Sequence, residues 1–332
     1  MKKFFYSTLA VLAFVGCGKI ETPSVDIRSN QPAEISFASQ ATFGTKAVVT
    51  GTVLPDGATF SVFADVNEDG SLNDRNYLTN AEYNESGNPA DASKHYYWPV
   101  SDKPITLDFY AVYPYSASTS RSAAGVATVA VVCEAVNDAS VDVMLATTKG
   151  QSYDDSKTDE QNRKPLNFEH QLSYVSFQAK KEDIAALLNV KIKEIKVTVP
   201  NTKGEIAFTD NSNAPLTPTA GTYVYSTVTS TVADTELSAS AWTDCGYFIA
   251  IPQDITVAGA KASIKYEYQV GNKTYTKTVD NLSLKSKDTT AWTAWAKGTH
   301  YTYNITIGLK EILFTVTASG WSSDDGGAKE IY

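Results

Sequence analysis

The chain of 332 residues carries 28 Lys and Arg against 37 Asp and Glu, a formal net charge of −9, which argues against a broad electrostatic grip on nucleic acid or on an anionic membrane surface. Three Cys and three His provide neither a disulfide framework nor zinc-ligand spacing, and no G-x-S-x-G, Gly-rich phosphate loop or neighbouring Cys/His pair points to catalysis. Nineteen Tyr, with abundant Thr, Val and Ser, favour pleated, half-buried strands, so an all-β fold is predicted, with chain enough for two moderate domains.

At the start, Lys2 and Lys3 precede an apolar run from Phe4 to Val15 that closes on Gly16-Cys17. This is the layout of a secretory signal, and the run is too short to span a bilayer. A Cys after a small residue at the end of such a run resembles the lipobox of bacterial lipoproteins. That resemblance implies that Cys17 is acylated and becomes the mature N-terminus, and two or three chains hold far better than one. Residues 18–32 are polar with little periodicity and suit a flexible tether. Ala33–Ser39 then alternates as a short strand, with Ile35 and Phe37 on one face. A polar loop, Gln40–Lys46, leads to apolar Ala47–Val53, a Leu54-Pro-Asp-Gly57 turn and a strand bearing Phe60 and Val62.

The stretch from Asp65 to Asn76 matches most of a calcium loop. Asp65, Asn67 and Asp69 stand at positions 1, 3 and 5, Gly70 at the sharp turn, the Ser71 carbonyl at position 7 and Asn73 at position 9. Asn76 at position 12 cannot supply the bidentate carboxylate. The competing reading is a solvated hairpin tip whose Asx side chains bond their own backbone. No other cofactor is expected.

Residues 77–93 are polar and Asn-rich and read as a long loop, before the aromatic strand signals Tyr96-Tyr-Trp-Pro99 and Ile105–Pro114. Charged residues 151–164 read as a linker between domains 33–150 and 165–332. Lys181–Leu188 is the one helical segment expected. Ile195–Val199 alternates cleanly, Gly271-Asn272 is a hairpin signal, and Ile305–Ile307 with Ile312–Val316 forms the last strand pair. Cys133 and Cys245 fall in different halves and read as two buried thiols rather than one bridge. His170, beside Glu169, reads as a hydrogen-bonded structural residue, and Tyr96, Tyr97 and Trp98 as core rather than a sugar-stacking surface.

Several pieces in order resemble the fimbrillin family: the Trp98-Pro99 pair, the strand ending Phe109-Tyr-Ala-Val-Tyr-Pro114, Val143–Ala146, Pro165–Phe177, Phe248–Gln253 and Trp295–Tyr303. The resemblance implies two β-sandwich-like (transthyretin-like) domains with one short helix, in an exported lipoprotein of the outer membrane that forms surface pili of type V. Assembly in that family implies a cut after a basic residue behind the first strand, departure of that strand and its replacement by a segment of another subunit, a form of β-strand addition. Ile35 and Phe37 would then be the pocket-filling residues of the departing strand. Lys46 is the candidate cut site; Arg28, which precedes the strand, is the alternative. The partners implied are other pilus subunits, the outer membrane through lipid on Cys17, and a host or bacterial surface ligand. The hydrophilic segment from Ser322 to Tyr332 makes a poor donor strand, which suits an accessory, tip or anchor subunit. The expectation from another class is a surface glycan-binding lipoprotein using exposed aromatics.

Overall fold

In the computed structural model of the protein, the described residues are 33–41, 54–122, 125–133, 141–183, 188–209, 212–213, 217–219, 223–227, 235–285, 292–308 and 312–320. They fold almost wholly into strands. In chain order these are β1 (Phe37–Ala41), β2 (Thr59–Glu68), β3 (Ser71–Asn84), β4 (Ile105–Tyr113), β5 (Ser120–Arg121), β6 (Ala127–Val132) and β7 (Met144–Gln151), then helix α1 (Asp159–Asn162) and β8 (Lys164–His170). The chain continues through β9 (Ser173–Lys181), β10 (Asn189–Val199), β11 (Lys203–Thr209), β12 (Ser212–Asn213), β13 (Thr217–Thr219), β14 (Tyr223–Thr227) and β15 (Thr243–Ala250). It ends in β16 (Gln253–Asp254), β17 (Lys261–Val270), β18 (Lys273–Ser283), β19 (Ala294–Trp295), β20 (Thr299–Ile307) and β21 (Ile312–Gly320).

The first sheet runs β1-β8-β7-β4-β2-β3. Its central strands are buried on both faces. Phe60, Val62 and Ala64 of β2 and Leu107 and Phe109 of β4 point into one apolar cluster, while Phe63, Tyr110 and Val112 point into another. Burial on both sides explains why β2 reads as a nearly continuous apolar run with Ser61 and Asp65 as its interruptions. The second cluster also takes Val129 and Val131 of β6, Ile206 of β11, and Ile249 and Ile251 at the end of β15. Here β6 pairs antiparallel with β11, so strands from early and late in the chain share one core.

A third cluster lies between the sheets β14-β10-β17-β18 and β15-β9-β20-β21. Its large rings are satisfied as well as buried: Trp295 Nε1 donates to the Tyr303 hydroxyl at 3.0 Å, and that hydroxyl donates to the Leu284 carbonyl at 2.7 Å. The β17–β18 hairpin closes between Val270 and Lys273, with Gly271 at φ 60°, where the Gly-Asn signal places it.

Two sequence expectations differ from the structure, and a third lies largely outside the described residues. The loop expected from residue 77 is strand as far as Asn84, a polar edge strand whose pairing with β2 slips register three times, which erases the period-two signal. The helix expected at 181–188 begins on the last residue of β9, and residues 184–187 lie outside the described set. The described helix is α1, in the stretch read as linker: Thr158 caps it, its hydroxyl accepting from Gln161 N while the Gln161 side chain accepts from Thr158 N, a capping box. One residue later the chain enters β8, which pairs with β7 and with β1.

Candidate functional site: the seat of the first strand

The segment Ala33–Ala41 lies between two different partners. Its first half bonds to the segment after the β3 hairpin: Ile35 N donates to the Tyr96 carbonyl at 2.7 Å, and Trp98 N donates to the Ala33 carbonyl at 2.9 Å. Its second half, β1, pairs parallel with β8 from Phe37 opposite Lys164 to Ala41 opposite Phe168. Between them Phe37 N donates to the Gly87 carbonyl at 2.9 Å and Lys164 N to the Ser36 carbonyl at 3.0 Å. This strand sits at the end of the first sheet's order, where an edge strand would otherwise leave unpaired backbone groups.

The period of two sends Ile35 and Phe37 inward, and both are 0% exposed, while Glu34 and Ala38 face solvent. The Phe37 ring stands edge-on to Tyr83 at 4.9 Å, to Phe109 at 5.0 Å and to Phe60 at 6.5 Å between centroids. Burying two such side chains is worth about 1.5–3 kcal/mol each. The Tyr83 hydroxyl donates to the Ile35 carbonyl at 3.3 Å, and burial pushes its pKa far above the ordinary phenol value, so it stays a donor.

Two residues act on the backbone of Phe37. Arg163, placed by the C-terminal end of capped α1, donates to the Phe37 carbonyl from Nε at 2.8 Å and from Nη2 at 2.5 Å, and Nη2 also donates to the Ser86 carbonyl. Gly87, at φ 75°, presses its α-carbon against the same carbonyl; a Cβ there would overlap the Phe37 oxygen. Sequence reasoning identified Ile35 and Phe37 but not Arg163, Gly87 or Tyr83. A Ser-Gly-Asn turn marks Gly87 in the sequence, whereas nothing local marks Arg163.

Cys17, Arg28 and Lys46 lie outside the described residues. The stretch considered for calcium folds as the tip of the β2–β3 hairpin. Asp65 sits inside β2, 2% exposed, with both carboxylate oxygens on the Arg121 guanidinium, while Asn67 lies opposite Leu72 across the hairpin. Asp69 and Gly70 make the turn at φ 50° and 76°, and Asn73 Nδ2 donates to Glu68. Of the five residues, Asp65 and Asn67 lie on β2, Asp69 in the turn, and Ser71 and Asn73 on β3. No group of three or more His, Cys, Asp or Glu able to hold a metal occurs among the described residues. His170 is buried with Nδ1 2.7 Å from Asp142 Oδ2. Trp98 is 7% exposed and stands edge-on to Phe109 at 5.8 Å. Cys133 and Cys245 lie in different apolar clusters and form no disulfide.

The first strand is thus seated by backbone hydrogen bonds and by the buried side chains of Ile35 and Phe37 in an all-β fold. A sequence model of the fimbrillin-like family matches residues 45–321, and the chain belongs to that family. It is a structural pilus subunit and not an enzyme. No curated protein matches the chain. Among solved structures it is similar to a fimbrial protein from Bacteroides vulgatus (TM-score 0.54, 16% identity, 86% of this chain and 99% of that one). It is also similar to a candidate cell adhesion protein from Bacteroides uniformis (TM-score 0.53, 16% identity, 87% and 99%). Another from Bacteroides ovatus gives a TM-score of 0.51 at 14% identity, covering 89% and 100%. At these identities the three establish a shared fold.

Proposed function

We propose that the protein is exported as a lipoprotein, held in the outer membrane through Cys17, and joined to other pilus subunits by exchange of its first strand. The observation that carries this reading is the seating of β1. It is a short strand at a sheet end, paired with β8 over five residues, and its Phe37, with Ile35 just before it, is buried in an apolar cluster with Phe60, Tyr83 and Phe109. Removing such a strand exposes unpaired backbone and apolar surface together, both of which an incoming extended segment satisfies. Lys46 follows β1 in a polar stretch of the sequence, so a cut there frees the strand from the rest of the chain; a cut at Arg28 removes only the tether. The hydrophilic segment 322–332 suits an accessory, tip or anchor position, and adhesion to a host or bacterial surface belongs with a tip role. A surface glycan binder is the other reading, but it needs solvent-facing aromatics, and Trp98 packs inward.

The test uses chain produced in a host with lipoprotein export and fed labelled palmitate, followed by limited trypsin treatment and N-terminal sequencing. Label that disappears with Cys17→Ala, a product starting at Ala47 and multimers formed with partner subunits support the proposal. Unlabelled protein, or a product that keeps Ile35–Ser39 and stays monomeric beside those subunits, refutes it.

A further inference from the structure

We infer that the seat of β1 selects an extended segment with an aliphatic residue two places before an aromatic one, and that most of the remaining grip is on the segment's backbone. This rests on the strand exchange proposed above and names the partner that exchange takes. The selection sits where side chains enter the core. The Phe37 site is lined by three rings at edge-to-face angles of 68° to 86°, a shape that a flat ring fills and an aliphatic or small side chain leaves partly empty. The Ile35 site belongs to the same apolar cluster. Ala38 is exposed, and at the rim Glu34 Oε1 lies 2.6 Å from His95 Nδ1 with both side chains about half exposed, while Ser39 Oγ donates to the Glu85 carbonyl; such exposed polar contacts select weakly beside the buried pair.

The rest of the grip is mainly on the main chain. Carbonyls of Ala33, Ile35, Ser36 and Phe37 accept from Trp98 N, Tyr83 Oη, Lys164 N and Arg163, and the amides of Ile35 and Phe37 donate to Tyr96 and Gly87. Any extended chain offers these groups, so they add affinity without selecting sequence. Arg163 is the strongest of them, a charged donor placing two N–H groups on one carbonyl. The absent side chain of Gly87 gives that carbonyl its space. Residues 321–332, which follow the last described strand, read Trp-Ser-Ser-Asp-Asp-Gly-Gly-Ala-Lys-Glu-Ile-Tyr and hold no aliphatic residue two places before an aromatic. The occupant is therefore a segment of a different chain carrying that pair, rather than this segment of a second copy.

The experiment uses the full chain cut after Lys46 and three peptides in excess: residues 33–41, the same peptide with Phe37→Ala, and residues 318–332. The expected result is displacement of the cut strand by the first peptide, binding of the Phe37→Ala peptide at least about 100-fold weaker, and no binding of residues 318–332 where the first saturates. Arg163→Met in the cut chain should weaken the first two peptides by a similar factor, about 10-fold, leaving their ratio unchanged. Equal binding of the first two peptides, or saturable binding of residues 318–332, overturns the inference while strand exchange stands. A cut strand that never leaves and admits no peptide overturns strand exchange and this inference with it.

Discussion

Arg121 grips Asp65 with both arms of its guanidinium, Nη1 2.5 Å from Oδ1 and Nη2 2.8 Å from Oδ2, and the two side chains are 0% and 3% exposed. The rest of the pair's surroundings are also satisfied: Arg121 Nε donates to the Gly125 carbonyl, Asn76 N donates to Asp65 Oδ1 at 2.9 Å, and the guanidinium lies 4.4 Å over the Tyr110 ring. The pair ties β5 to the interior of the first sheet. Arg121→Met leaves the buried carboxylate with only Arg75, 3.6 Å from Oδ2, and the Asn76 amide, and should destabilise the fold by about 3 kcal/mol, read from urea unfolding. Adding Asp65→Asn to that variant should recover part of the loss. A cost under about 1 kcal/mol for Arg121→Met would mean that Arg75 or water takes over the carboxylate.

The same contact sets an expectation for calcium. With Asp65 held by Arg121, millimolar calcium should leave the melting temperature unchanged, and so should EDTA. A rise of several degrees with calcium, saturating with concentration, would show that the hairpin tip rearranges to bind it.

Gly87→Ala should cost more than Gly271→Ala. Both glycines have positive φ, so both variants bear the left-handed penalty of about 1–2 kcal/mol. At Gly271 nothing lies near an added Cβ, whereas at Gly87 it meets the Phe37 carbonyl. An excess of about 2 kcal/mol and faster trypsin cleavage behind β1 are expected. Equal unfolding free energies for the two variants would argue against close packing of β1 on this turn.

His300 gives the fold a pH dependence of known sign. Its Nε2 lies 2.7 Å from Ser176 Oγ and 3.2 Å from Thr302 Oγ1, and burial lowers its pKa to about 4 from 6.5. Below pH 6.5 the unfolded chain takes the proton first. Stability should therefore fall as pH drops from 6.5 to about 4, by at most about 1.4 kcal/mol per unit, and level off below. His300→Gln should lose this increment. Identical pH profiles for the two chains between pH 7 and 4 would place His300 in contact with solvent.

Local patterns were legible in the sequence, and long-range pairing was not. The alternation of Ile35 and Phe37, the Gly271-Asn272 turn and the Leu54–Gly57 turn depend on neighbours a few residues away, and each sits in the structure as read, with Ala58 N bonded to the Pro55 carbonyl and Gly57 at φ 76°. Strand β10 shows where periodicity fails: Ile192 and Ile195 both point inward although three residues apart, because the pairing with β17 shifts between Ile192 and Glu194. The parallel pairing of β1 with β8 and of β20 with β9 joins residues more than a hundred positions apart. So does Arg163 on Phe37, across 126 residues. No local spacing encodes these contacts; the folded chain brings them together.

Native mass spectrometry of the chain cut after Lys46, with a labelled peptide of residues 33–41 in excess, tests most directly whether the first strand can be exchanged. The expected spectrum shows the cut strand free and one labelled peptide bound per chain, because backbone pairing and the Ile35 and Phe37 sites are all satisfied by the newcomer. A spectrum in which the cut strand stays with the protein and no labelled peptide enters would contradict assembly by strand exchange.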